Sequence, residues 1–237
     1  MNTEALRTVA ATYGTPTYIF DVREVEARIR LLRSLLPEDT GLCFAVKANP
    51  FLIPYVADLV DRLEVCSPGE YEICIQEQIA PEKIVVSGVN KTYESMKRIL
   101  SYSKGAGIYT IESEEHAKIL RTLAEKNQMP LSVLIRLSSG NQFGVDAETF
   151  LRLAKEIQES PYLTLAGVHY YAGTQKRQSK LEKELDTLTA FAKTFEEETG
   201  TVLNELEYGA GMKVSYFIND SEKDQRESEP EPQIQAL

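Results

Sequence analysis

A single lysine closes an apolar, strand-type run in Gly41-Leu42-Cys43-Phe44-Ala45-Val46-Lys47-Ala48-Asn49-Pro50. An ammonium removed from water loses ground to its neutral amine, so burial at this place lowers its pKa from roughly 10.4. A neutral amine attacks carbonyls, and Schiff-base chemistry is what such a lysine can do. The same pattern also fits a strand-end lysine that snorkels to solvent.

Four further strand ends carry polar residues in apolar surroundings. Glu64 precedes Val65-Cys66-Ser67-Pro68-Gly69-Glu70, and a carboxylate there needs a cation or hydrogen-bond donors. On neighbouring barrel strands Glu64 and Lys47 come close enough to pair; a surface carboxylate at a strand edge is the other reading. Arg136 is the one charge in Val133-Leu134-Ile135-Arg136-Leu137-Ser138, and facing inward its fork of donors holds an anionic oxygen. In Gly167-Val168-His169-Tyr170-Tyr171-Ala172-Gly173-Thr174-Gln175, period-two alternation puts His169 and Tyr171 on one face and Tyr170 on the other. An aromatic on the site face can stack on a planar ligand, although a core histidine with two core tyrosines fits equally. Finally, Tyr208-Gly209-Ala210-Gly211-Met212 lets backbone N–H groups approach an anion, and phosphate is the usual guest of such a turn late in a barrel.

The elements that must position these residues alternate along the chain. Strand-type runs cover 42–47, 62–66, 83–87, 108–111, 131–137, 164–171 and 203–208, after a short strand at 17–21 that leads into a helix over 22–36. Amphipathic helices cover 54–61, 69–78, 93–103, 113–127, 147–159 and 179–199. Such alternation predicts a parallel sheet buried on both faces, closed as a barrel or open and doubly wound. No Gly-x-Gly-x-x-Gly follows the first strand, and the polar residues gather at the C-terminal ends of several strands, which favours the barrel. Seven strands are visible where a closed barrel has eight. The stretch 219–237, acidic and with two prolines, reads as a solvated tail or loop after a barrel domain over 1–218.

With 43% hydrophobic residues among 237, the chain can bury a substantial core. A formal net charge of -10 argues against nucleic-acid binding. No apolar leader opens the sequence and no window reaches the roughly 20 apolar residues of a membrane span, so a cytoplasmic location is expected. Cys43, Cys66 and Cys74 lie in or beside apolar runs and read as reduced, buried thiols, with no spacing that suits a metal site.

Taken in order, Phe-Ala-Val-Lys-Ala-Asn-Pro, Glu-Val-Cys-Ser-Pro-Gly-Glu, Gln-Phe-Gly-Val, Gly-Val-His-Tyr-Tyr-Ala-Gly-Thr-Gln and Tyr-Gly-Ala-Gly-Met resemble the fold-type III pyridoxal-phosphate decarboxylases. That group includes the diaminopimelate, ornithine and arginine decarboxylases. The resemblance runs from about residue 15 to 217. It implies a (β/α)8 TIM-type barrel of the alanine racemase-like kind, here incomplete at about seven strands and without the family's C-terminal β domain.

The resemblance also implies roles. Lys47 forms the aldimine with pyridoxal 5′-phosphate and later returns as a proton donor. Glu64 stands beside it, where the family more often has aspartate, and Arg136 lies under the ring near its phenolic oxygen. Thr174 and Gly209-Ala210-Gly211 bind the phosphate. His169 keeps the first histidine of the usual pattern, while Tyr171 replaces the second, which stacks on the pyridine ring. Tyrosine still stacks, for something like 0.5–1.5 kcal/mol beyond its area burial, but it does not carry a proton near neutral pH, which bears on protonation after decarboxylation. It also points away from the standard diaminopimelate enzymes, toward a larger or carrier-bound amino acid. The family's Glu-Pro-Gly-Arg motif is missing, and Glu229-Pro230-Glu231-Pro232 only echoes it.

The implied function is that of a pyridoxal-phosphate-dependent amino-acid decarboxylase acting on a small-molecule substrate. The family works as a homodimer, and this chain reads as a truncated copy with little activity alone. A non-catalytic single-domain pyridoxal-phosphate carrier and half of a split decarboxylase are the alternatives.

Overall fold

The computed structural model describes residues 2–217, 219 and 221–234. Short apolar runs rich in Val, Ile and Leu form seven strands: β1 (Cys43–Ala45), β2 (Arg62–Val65), β3 (Ile84–Val86), β4 (Ile108–Ile111), β5 (Leu131–Arg136), β6 (Leu163–Tyr171) and β7 (Glu205–Gly209). They pair in chain order, every neighbour parallel. Parallel neighbours need crossovers. The helices are α1 (Thr3–Tyr13), α2 (Val22–Leu35), α3 (Ile53–Val56), α4 (Pro68–Gln76), α5 (Tyr93–Ser103), α6 (Glu114–Asn127), α7 (Ala147–Gln158), α8 (Gln178–Thr199), α9 (Glu222–Glu227) and α10 (Pro230–Ile234).

The sheet is curled. In a flat sheet β2 and β7 would lie five spacings apart, about 24 Å. Instead the Arg62 guanidinium on β2 makes a bidentate ion pair with the Glu205 carboxylate on β7, one of its two bonds being 3.3 Å long. Side chains of non-adjacent strands therefore meet inside an incomplete barrel. Val85, Ile108 and Leu134 form a small apolar cluster separate from the main core. Val85 pairs with Glu64 in register, so the small cluster shares the inner face with the polar residues. The main core, which includes Leu63, Val65, Ile111, Ile135 and Val168, gathers between the sheet's outer face and the helices.

Strand ends are tied to helix starts by caps. Ser67 accepts from the Glu70 N–H while Glu70 accepts from the Cys66 N–H at 2.8 Å. Thr92 and Ser95 form a capping box, and Ser113 and Asp146 cap α6 and α7. Each cap fixes the backbone where a strand hands over to a helix, which is where the polar residues sit.

Several expectations are corrected. Residues 17–21 form no strand; Asp21 is instead the N-cap of α2, accepting from the Arg23 N–H. The expected helix over 54–61 is instead the single turn α3, preceded by a 3-10 turn (Pro50–Leu52), and the chain leaves the helix at Ala57. An N-terminal helix, α1, was not foreseen. The tail holds two short helices, and Ile234, 5% exposed, packs α10 against α2 and α8. Pro230 and Pro232 sit in its first turn, where a missing N–H costs little. Positions 220 and 235–237 of the expected tail lie outside the described residues. Cys43 is exposed at the β1 edge, Cys66 half-buried and Cys74 buried.

Among the described residues β1 and β7 do not pair with each other. A cavity of about 740 Å³ opens at that seam, lined by Leu32, Leu36, Cys43, Leu185, Glu205 and Ile234 among others. Among the described residues no helix is long and apolar enough to cross a membrane.

Candidate functional site

Alternation places Arg62 and Glu64 of β2, His169 and Tyr171 of β6, and Glu205, Glu207 and Gly209 of β7 on the inner face. Register aligns them: Ala45 with Glu64, Arg136 with His169, His169 with Glu207, and Tyr171 with Gly209. Six of the sequence-predicted residues, Lys47, Glu64, Arg136, His169, Tyr171 and Gly209, thus reach one end of the barrel.

Lys47 lies in the 3-10 turn Val46–Ala48 that follows β1. Its Nζ is 3.8 Å from Glu64 Oε2 and 5.1 Å from the centroid of the Tyr171 ring. Partial burial acts to lower its pKa, but Glu64, Cys66 and Tyr171 together outweigh that, and the net shift is upward. The expected downward shift is therefore overturned: desolvation is the largest single influence, but with 46% of the side chain exposed it is outweighed by Glu64, Cys66 and Tyr171 together.

Glu64, His169 and Glu207 each bring a ligating atom within 4.8 Å of the others. Burial would raise the Glu64 pKa, yet the His169 ring, whose Nε2 is 3.6 Å from Glu64 Oε1, and the Lys47 ammonium bring it down to about 2. Glu207 moves the other way, to about 8, through burial and the Glu64 and Glu205 carboxylates, with Arg62 only partly opposing. Glu64 is the anion of the pair and Glu207 the neutral acid at pH 7. His169 Nδ1 and Glu207 Oε2 are buried and have no hydrogen-bond partner among the described residues.

Arg136, 7% exposed, donates to Glu112 Oε2 at 2.6 Å, with the Phe143 ring 5.1 Å from its guanidinium. Glu112 is also 3.7 Å from Lys91, whose ammonium donates to the Gly88 carbonyl and to Thr110 Oγ1. Burial pushes the Lys91 pKa down to about 8 against the pull of Glu112. His116 Nδ1 accepts from the Glu112 N–H, and burial with the nearby Lys91 charge takes its pKa down to about 4. Sequence reading missed Lys91, Glu112, Glu207 and Arg62. The signal for Glu205 and Glu207 was present: charges at period two in Glu-Leu-Glu-Tyr-Gly.

The glycine turn lies at the end of β7, and Thr174 is exposed in the loop after β6. A Cβ on residue 209 would stand 2.6 Å from the Tyr171 ring, and one on residue 211 would stand 1.9 Å from the Gly173 carbonyl oxygen. Gly211 also adopts φ +60°, which favours glycine.

A primary amine, a ring beside it, a buried guanidinium and a side-chain-free turn fit an aromatic aldehyde that carries phosphate. The unpartnered His169 and Glu207 atoms leave polar capacity for a ligand on the same face. Comparisons with known proteins agree. The family described as "Pyridoxal-dependent decarboxylase, pyridoxal binding domain" matches residues 22–231. Diaminopimelate decarboxylase of Actinosynnema pretiosum subsp. auranticum is 31% identical over 235 residues, covering 91% of this chain and 52% of that protein. The L-glutamyl-[BtrI acyl-carrier protein] decarboxylase of Niallia circulans is 25% identical, covering 94% and 56%. The crystal structure of diaminopimelate decarboxylase from M. jannaschi superposes with a TM-score of 0.82 at 20% identity, over 97% of this chain and 57% of that one, and shares the fold. The chain spans about half the length of the curated relatives it matches. It belongs to the pyridoxal-dependent decarboxylase family, whose pyridoxal binding domain it carries.

Proposed function

We propose that this chain is the cofactor-binding barrel of a pyridoxal-phosphate-dependent amino-acid decarboxylase, with Lys47 as the amine that bonds the cofactor. The observation that carries this reading is Lys47 Nζ beside Glu64 and over the Tyr171 ring, on the same face as the Gly209–Gly211 turn. Pyridoxal phosphate, when bound, supplies the electron sink that lets carbon dioxide leave an amino acid.

The protein's own groups divide the remaining work. Lys47 would have to lose the proton that Glu64, 3.8 Å away, helps it keep before its amine could bond an aldehyde, and the same Nζ could then carry a proton. Tyr171, whose ring lies 5.1 Å from Lys47 Nζ, would offer that ring to the heterocycle, and His169, with Nε2 3.6 Å from Glu64 Oε1, would help to keep Glu64 ionised. Arg136, braced by Glu112, offers its remaining donors to an anionic oxygen. Thr174 and the turn hold phosphate. Titrating the protein with pyridoxal phosphate should produce a new visible absorbance band, absent in Lys47→Ala; no band in the wild type overturns the reading.

The seam supports a second element of this reading. Among the described residues the β1 and β7 edges do not pair, and the cavity of about 740 Å³ between them leaves room for a further strand. The 237-residue chain alone is expected to turn over diamino acids negligibly, and robust turnover contradicts this.

A further inference from the structure

A second lysine, unused so far, is buried immediately behind the glycine turn. Lys176 is 2% exposed. Its backbone N–H donates to the Gly211 carbonyl at 3.0 Å, and its ammonium donates to the Gly209 carbonyl at 3.4 Å. The ammonium is held in place by Glu184 of α8, whose Oε2 it meets at 2.6 Å and which also accepts from the Tyr208 hydroxyl at 2.8 Å. The Tyr208 ring lies 5.1 Å from the ammonium.

Tyr208 alternates with Glu207, so it faces outward to the helix layer, and Lys176 sits on that outer side with it. The peptide bonds after Gly209 and Gly211 are trans. In a planar trans peptide the C=O and N–H point in opposite directions. The Lys176 ammonium holds the Gly209 carbonyl on its own side, so the N–H of Ala210, across the same peptide plane, is directed away from the lysine. The Gly211 carbonyl is held separately, by the Lys176 backbone N–H in a parallel bridge between Lys176 and Met212. A backbone N–H so directed at a glycine turn is a donor for an anion. The carboxylate of Glu184 keeps the lysine behind the turn, so that its charge adds to the donors without filling the phosphate's place.

We propose that Lys176 is a positioning residue for the cofactor's phosphate: its ammonium pins the Gly209 carbonyl, orients the Ala210 amide on the other side of that peptide, and lends the turn a buried positive charge. This rests on the cofactor reading above. It predicts discrimination between pyridoxal phosphate and pyridoxal, which lacks only the phosphate.

The test measures dissociation constants for pyridoxal phosphate, pyridoxal and inorganic phosphate with the wild type, Lys176→Met, Lys176→Arg and Glu184→Gln. Lys176→Met should reduce the preference for pyridoxal phosphate over pyridoxal by about tenfold or more, with pyridoxal affinity unchanged. Lys176→Arg should restore part of the preference. Glu184→Gln keeps the packing but weakens the anchor that holds the ammonium behind the turn, so its preference should fall by less than that of Lys176→Met. Equal loss for both ligands in Lys176→Met, or an unchanged preference in that variant, overturns the inference and marks the lysine as merely structural. Inorganic phosphate reads the turn without Lys47. Weaker phosphate binding in Lys176→Met supports the inference even where Lys47 fails to bond the aldehyde, which separates the two claims.

Discussion

Lys47 Nζ stands 3.8 Å from Glu64 Oε2 with nearly half of the lysine side chain open to solvent, and this carboxylate sets the lysine's charge. A buried lysine would be a ready nucleophile; this one is stored as an ammonium. Replacing Glu64 by Gln removes the attraction, so the pH at which Lys47 reacts with an aldehyde should move down. The pH profile of absorbance change on adding pyridoxal phosphate reads this directly. An unmoved profile means that Glu64 does not govern the amine.

Glu207 provides a stability signature. Its folded pKa, about 8, lies above the ordinary carboxylate value of 4.5. Unfolding therefore releases a proton between these values, and stability is lost as pH rises from 4.5 through 8. His116, at about 4 against an ordinary 6.5, acts in the opposite sense, but only below 6.5. Lys91, at about 8 against 10.5, acts above 8. Between pH 6.5 and 8, Glu207→Gln should thus gain on the wild type by up to about 1.4 kcal/mol per pH unit. Urea midpoints across that window check it, and a pH-independent difference contradicts it.

Glu112 joins two buried cations, so its loss should hurt more than the loss of either. Glu112→Leu is expected to cost about 3–5 kcal/mol by leaving Lys91 and Arg136 uncompensated. Arg136→Met should cost less, since Lys91 still faces Glu112. Chemical denaturation of the two variants gives the order, and the reverse order would show the network to be assigned wrongly.

Gly167 lets β6 lie close to β7: a Cβ there would stand 1.9 Å from the Glu205 carbonyl oxygen. Gly167→Ala should destabilise by about 1–3 kcal/mol and disturb the Arg62–Glu205 pair across the barrel. Gly69→Ala, with nothing within 4 Å in the first turn of α4, serves as the neutral control. Thermal melts that place the two variants together are incompatible with this packing.

The barrel was legible in the sequence because buried parallel strands are written as apolar runs separated by amphipathic helices, and β2 to β7 formed close to their expected positions. Residues 17–21 misled because a β-rich composition says nothing of a pairing partner, and Asp21 was needed as a cap. In the site, Lys47, Glu64, Arg136 and His169 stood out as solitary polar residues in apolar runs. Lys91, Glu112 and Lys176 did not, since they lie in loops or just past strand ends where charge is ordinary. Only the fold reveals that these positions are buried. The Lys47 charge was misread for a related reason: burial was inferred from the strand, whereas the residue sits in the exposed turn after it.

Covalent capture tests most directly whether Lys47 is the residue that bonds the cofactor. Incubating the chain with pyridoxal phosphate, reducing with borohydride and mapping the peptides by mass should place one pyridoxyl group on Lys47, with none gained by Lys47→Ala. Labelling centred on Lys91 or Lys176, or no labelling in a folded wild-type protein, would contradict it.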